Sequence, residues 1–192
     1  MAATKPKALH FTGNPEADEL IANDPMALLI GFALDQQVSV EKAFSAPLEL
    51  DRRVGTIDAG ELAGMEPSKL EAAFRAKPAL HRYPGTMARR TQELAAAIAG
   101  EYEGDAARVW TEAADGRDLE RRLLDLPGIG PMKARGLIAV LGKRFGIRPP
   151  GWEEVAPKHP TLGDVDSPEA REEFQAKKRA YKASLKAARA AK

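Results

Sequence analysis

The chain has 192 residues, 44% of them hydrophobic and 30% charged, with a net charge of +1 and no cysteine. That length and balance suit a folded globular protein of one domain or two small lobes sharing a core, and the missing thiols exclude disulfides, a cysteine nucleophile, a Cys-zinc site and a cysteine-held iron–sulfur cluster. No apolar run is long enough to span a membrane, residues 1–7 lead into no secretory signal, and His10, His81 and His159 show no ligand spacing; the expectation is a cytoplasmic protein without a transition-metal site.

Residues 1–23 are polar and mixed, with one short helix expected over about 15–22. At Asn23-Asp24-Pro25 a capping side chain precedes a proline at the first helical position, a strong start signal. Leu28, Leu29, Phe32 and Ala33 give the helix that follows a buried face. It runs into Leu34-Asp35-Gln36-Gln37-Val38-Ser39, where two adjacent amides end an apolar helix and Ser39 can cap the next one, through Lys42, Ala43 and Phe44. Residues 47–80 read as two or three short helices. Leu48, Leu50 and Val54 mark one, Asp58 can cap another, and Leu70, Ala73 and Phe74 face inward from a third, with Gly55, Gly60, Gly64, Pro67 and Pro78 between them. Residues 81–85 are a break. A long helix to about Tyr102 follows, with Met87, Leu94 and Ile98 inward and Arg89 and Arg90 on other faces. Val109 and Trp110 pack a turn, and Arg117 opens the next helix.

Residues 119–124 form a short amphipathic run, and Ala134, Ile138, Leu141 and Phe145 line one face of a second. Between the two stands Leu126-Pro127-Gly128-Ile129-Gly130-Pro131-Met132-Lys133-Ala134. The pattern predicts helix, tight glycine turn, helix. Gly128 and Gly130 let the backbone bend sharply and approach another molecule, and Pro131 fits the first turn of the second helix. The N–H groups of that turn lack helical acceptors and can seat a phosphate, with Lys133 adding a cation. On spacing alone, an ordinary αα-hairpin with a glycine C-cap is the other reading.

Beyond Phe145, residues 146–160 are rich in proline and read as an extended connector anchored by Trp152. Ser167 or Asp166 can then cap a helix started by Pro168. That helix continues into a tail in which Lys177, Lys178, Arg179, Lys182, Lys186, Arg189 and Lys192 stand without an acid. Such a tail can track a DNA backbone, or it is a solvated, fraying helix end. No strand pattern longer than a few residues and no repeat at a fixed period occurs, so the expected fold class is all-α.

The string LPGIGPMKA resembles the helix-hairpin-helix motif of the endonuclease III-like (HhH-GPD) DNA glycosylase superfamily, Leu-Pro-Gly-(Val/Ile)-Gly followed by two variable positions and Ala. Residues 24–40, DPMALLIGFALDQQVSV, are similar to a second signature, a Pro-started apolar helix ending in a Gln-containing turn that faces DNA. The resemblance implies a two-lobed all-α fold. Residues 24–142 would form a helical barrel lobe carrying the helix-hairpin-helix at about 117–146. Residues 1–23 plus 143–192 would form the second lobe, with the proline-rich connector and the basic C-terminal helix. It also implies DNA contacts at Gly128, Ile129, Gly130, Met132 and Lys133, and a role for Gln36 or Gln37 in the gap left by a displaced base. The alternative for the two amides is capping of local backbone. Relatives carry an aromatic-basic cluster near Arg82 and Tyr83, which would lie at the cleft or merely pack on the surface.

The family's essential aspartate falls, by the same resemblance, on Asp166 in Val165-Asp166-Ser167, with Asp164 as a rival and helix capping as the other use of either residue. Such a carboxylate stabilises an oxocarbenium-like sugar or activates a water. The separation from Gly130, 36 residues (166 − 130), is longer than is typical of the family. Bifunctional members carry a nucleophilic lysine two residues after the second hairpin glycine; here that residue is Met132, whose thioether forms no Schiff base. Met132 would instead line the base pocket. Lys133, about 100° further round the helix, would point toward phosphate, a lyase role for it being the minor alternative. Carbonyls of Leu124, Leu126 and Ile129 would hold an alkali cation, as in relatives, while the iron–sulfur cluster of many relatives is excluded. The implied activity is that of a monofunctional base-excision repair glycosylase, a monomer acting on duplex DNA at the nucleoid and flipping out a damaged or mispaired base. The alternatives are a non-catalytic DNA-binding protein on the same scaffold and a helical module whose hairpin binds a protein.

Overall fold

A computed structural model describes residues 5–190, apart from the side chains of residues 178, 181, 182 and 185–190. The described residues are all-helical and contain no strand. The helices are α1 (Pro15–Asn23), α2 (Pro25–Leu34), α3 (Val40–Val54), α4 (Ala59–Gly64), α5 (Pro67–Arg75), α6 (Pro84–Glu101), α7 (Arg108–Thr111), α8 (Gly116–Leu124), α9 (Pro131–Arg144), α10 (Trp152–Val155) and α11 (Pro168–Ala190), with a 3-10 turn at Leu162–Asp164. None of them is long and apolar enough to cross a membrane.

Side-chain caps start many of these helices where the sequence places them. Asp24 accepts from Ala27 N–H at 2.9 Å, Ser39 from Lys42 N–H at 3.2 Å and Asp58 from Glu61 N–H at 2.9 Å. Each such cap contributes about 1 kcal/mol. Two expectations are corrected. The helix after Ser39 and the one marked by Leu48, Leu50 and Val54 are a single helix, α3, that runs through Pro47. Its Phe44 packs edge-on to Phe11 at 5.1 Å and Phe32 at 5.0 Å, and that burial offsets the roughly 3 kcal/mol cost of an interior proline. Likewise α2 is not a one-faced helix: Met26 to Leu34 are all buried, because α1, α3, α6 and α9 pack around it.

Buried apolar residues from Leu9 to Val165 form one contiguous cluster with α2 inside it. The proline-rich connector folds back along α9 and contains α10, so it is not extended throughout. Trp152 is buried; its Nε1–H donates to Ile138 O at 3.1 Å, and its ring fills the notch left by Gly142, where a Cβ would lie 2.2 Å from the indole. The backbone of Gly163 then packs on that of Ala139 and Val140. In the basic tail, Lys177 pairs with Glu173 at 2.6 Å; the side chains of Lys178, Lys182, Lys186 and Arg189, and all of Lys192, lie outside the described residues.

Candidate nucleic-acid interface

The turn between α8 and α9 uses its two glycines differently. Gly128 has φ +86°, and a Cβ on it would lie 2.7 Å from Arg90 Cδ and 3.3 Å from Ala33 Cβ. The turn itself requires glycine there. Gly130 has φ −89° and ψ 178°, which any residue can adopt, and a Cβ on it would meet nothing within 4 Å. It is the N-cap of α9, supplies no side-chain cap, and precedes Pro131 at the first helical position. The N–H groups of Met132 and Lys133 therefore have no acceptor within the helix. They sit at the positive end of a 14-residue helix, on a corner where Gly130, Pro131 and Met132 are exposed. On α8, a hydrogen bond from Ala114 N–H and ion pairs with Arg121 and Arg122 hold the Asp118 carboxyl at a pKa of about 2.

Two expectations for this turn are corrected. Met132 is 88% exposed and no pocket encloses it. Lys133 does not turn to the open side: its ammonium donates to Ala33 O at 2.8 Å and Gly128 O at 3.0 Å. The last carbonyls of α2 lack helical donors and carry the negative end of that helix's dipole, so they attract the cation inward. Burial lowers the Lys133 pKa below its ordinary 10.5, Asp35 favouring the charge and Arg90 opposing it.

Gln36 and Gln37, both exposed, form the turn after α2, beside this hairpin. Gln37 holds φ +56°, uncommon for a residue with a Cβ. Neither amide oxygen serves as a local backbone cap. Gln36 Oε1 accepts from Arg90 Nη1 at 3.1 Å, and Gln37 Oε1 from the Tyr83 hydroxyl at 3.1 Å. Of the two readings of Tyr83, the structure favours proximity to the Gln turn. Tyr83 is 41% exposed and has the Arg82 guanidinium 5.5 Å from its ring centroid. Beneath it, His81 is 1% exposed. Its Nδ1 accepts from Tyr83 N–H at 3.0 Å, so the proton sits on Nε2, which donates to Leu34 O at 3.2 Å and Gln36 O at 3.0 Å. Burial pushes its pKa below the ordinary 6.5, with Lys42 and Lys133 acting in the same direction. His81 and Arg90 are the site residues that sequence reasoning missed. One lay in a stretch read as a break in which only Arg82 and Tyr83 were singled out, the other on a helix face with no distinguishing pattern.

The two aspartates lie elsewhere. Asp164 closes the 3-10 turn: its Oδ2 accepts from Thr161 N–H at 2.8 Å and its Oδ1 from Lys143 Nζ at 2.6 Å. Burial works against its charge, yet Lys143 and Thr161 outweigh that and lower its pKa. Asp166 is not a helix cap, because Ser167 Oγ takes that place by accepting from Ala170 N–H at 3.1 Å. The Asp166 carboxylate is exposed and lies 3.9 Å from Arg144 Nη1. Both partners, Lys143 and Arg144, end α9, a helix about 20 Å long. Allowing for fully extended side chains, each carboxylate stays about 10 Å or more from Gly130. The structure thus joins Gln36, Gln37, Gly128 and Lys133 in one network, and sets Asp164 and Asp166 apart from it.

Of the carbonyls expected to hold an alkali cation, Leu126 O already accepts from Ile129 N–H at 3.1 Å. The described residues contain no group of three or more His, Asp or Glu side chains that could hold a metal. No protein family, no curated protein and no solved structure matches the chain, so the functional reading rests on this geometry and on the motifs.

Proposed function

We propose that the chain is a monofunctional base-excision DNA glycosylase of the helix-hairpin-helix type. One observation carries the reading: the Gln36–Gln37 turn and the Gly128–Gly130 turn, far apart in sequence, are fastened side by side by Arg90 and Lys133. A phosphate accepts from the Met132 and Lys133 N–H groups at the uncapped start of α9. An alkali cation on the carbonyls of Leu124, Leu126 and Ile129 supports that grip. Gln36 or Gln37 enters the duplex where a base has been flipped out, and Tyr83 offers an exposed ring on which a neighbouring base stacks. Asp166, relieved of capping by Ser167, supplies the carboxylate that stabilises the sugar cation or positions water. A thioether at Met132 and a hydrogen-bonded ammonium at Lys133 disfavour strand nicking. Residues 24–142 serve as the hairpin-carrying lobe and the two ends of the chain as the second. The protein works as a monomer at the nucleoid.

A second reading, a DNA-binding protein without catalysis on the same scaffold, is favoured by the position of Asp166 toward the far end of α9, paired with Arg144. Single-turnover assays separate the two. Duplexes carrying uracil, hypoxanthine, 3-methyladenine, 8-oxoguanine or an oxidised pyrimidine are incubated with wild type and Asp166→Asn, with and without alkali. Alkali-dependent cleavage that the substitution abolishes is the expected result. Binding to duplex with no base released from any substrate sinks the enzyme reading and leaves the binding protein. Release that survives Asp166→Asn moves the carboxylate role to another residue.

A further inference from the structure

We propose that Lys133 and Arg90 act as a two-cation strap, positioning residues that hold the Gln36–Gln37 turn in fixed register with the hairpin turn. The inference rests on the glycosylase reading of these two turns and adds the device that couples them. Lys133 and Ala33 are 100 residues apart in sequence (133 − 33), yet the ammonium donates to Ala33 O at 2.8 Å. Ala33 lies in the last turn of α2, where a carbonyl lacks its helical N–H. The second donor goes to Gly128 O at 3.0 Å, the glycine with positive φ. One side chain therefore ties the last turn of α2, which leads into the Gln36–Gln37 turn, to the hairpin turn.

Arg90 makes the parallel tie on the exposed side. Its stem packs where a Cβ on Gly128 would be, and its guanidinium donates to Gln36 Oε1 at 3.1 Å. The Lys133 ammonium turns inward to the Ala33 and Gly128 carbonyls and not to solvent, where a phosphate-binding side chain would point. The coupling has a direct consequence. When a phosphate docks on the start of α9, the Gln turn is already at the height it needs to enter the stack, and little ordering of the loop remains to be done on binding.

The test uses a duplex with a tetrahydrofuran abasic-site analogue opposite 2-aminopurine, whose fluorescence reports entry of a side chain into the gap. Amplitude is read at saturating protein, so affinity changes drop out. Wild type gives a signal that Gln36→Ala with Gln37→Ala removes. Lys133→Met and Arg90→Met, each keeping an apolar stem, are expected to lose at least half of the amplitude while retaining wild-type helicity. In the double-Ala background, Lys133→Met is expected to change nothing further. Full amplitude in both folded variants overturns the strap and leaves the glycosylase reading intact. No signal from wild type overturns both. If Lys133→Met fails to fold, Arg90→Met decides alone.

Discussion

Replacing each hairpin glycine by alanine separates what the fold needs from what a ligand needs. At Gly128 the backbone has φ +86°, and an L-residue there costs about 1–2 kcal/mol. The added Cβ also lies 2.7 Å from Arg90 Cδ, and displacing that stem brings the total to about 2–5 kcal/mol by the usual range for overpacking. For a chain of this size that lowers Tm by about 4–20 °C. At Gly130 the φ of −89° is ordinary and a Cβ has open space. The weaker N-cap costs about 0.5–1 kcal/mol, and the stiffer unfolded chain offsets about as much, so Tm stays within about 2 °C. The methyl group nevertheless occupies the corner through which a phosphate approaches the Met132 and Lys133 N–H groups. Losing one charge-assisted hydrogen bond costs about 1.5–3 kcal/mol, a fall of roughly ten- to a hundredfold in affinity. Thermal melts by circular dichroism and anisotropy titration of a labelled duplex at two salt concentrations measure both. Wild-type DNA affinity in Gly130→Ala, or equal destabilisation by the two substitutions, refutes the reasoning.

Trp152→Ala removes the ring from the Gly142 notch together with its bond to Ile138 O, and urea unfolding should show a loss of about 3–5 kcal/mol; less than about 1 kcal/mol means the connector is not anchored there. Asp164→Ala breaks a closed set of partners, whereas Asp166→Asn alters an exposed carboxylate with one distant partner, so Tm should fall in the first and hold in the second; the reverse order contradicts the structural role of Asp164. His81 has a folded pKa below 6.5. As pH falls through 6.5 the unfolded chain takes up a proton that the folded chain refuses, so stability drops until the folded imidazole itself protonates. His81→Gln should flatten that part of the Tm–pH curve, and parallel curves for the two proteins count against the buried neutral ring.

Local signals were legible wherever the physics is local. Asp24, Ser39 and Asp58 cap the helices they were expected to cap, since a cap needs only an oxygen two or three residues before an unpaired N–H. The hairpin was legible for the same reason: positive φ at Gly128 and Pro131 at the start of α9 are properties of adjacent residues. The helix through Phe44 and the one marked by Leu48, Leu50 and Val54 were not legible as a single α3, because the packing of Phe44 that offsets the cost of Pro47 comes from the distant Phe11 and Phe32. For the candidate site, sequence pointed to Gln36, Gln37 and the glycines but not to what holds them. His81 carries no pattern, and its role depends on the carbonyls of Leu34 and Gln36, more than forty residues away.

By itself, then, the sequence determined that the chain is helical, where most of its helices begin, and which two turns are built to bend. Those properties follow from φ preferences, caps and hydrophobic period, all of which act over a few residues. Only the tertiary structure decided that Lys133 faces inward to Ala33 and Gly128, that Met132 stands in solvent, and that Asp166 is relieved of capping and set against Arg144. Each depends on an orphan carbonyl, an open face or a counter-charge contributed by another part of the chain, and such partners exist only once the helices have packed.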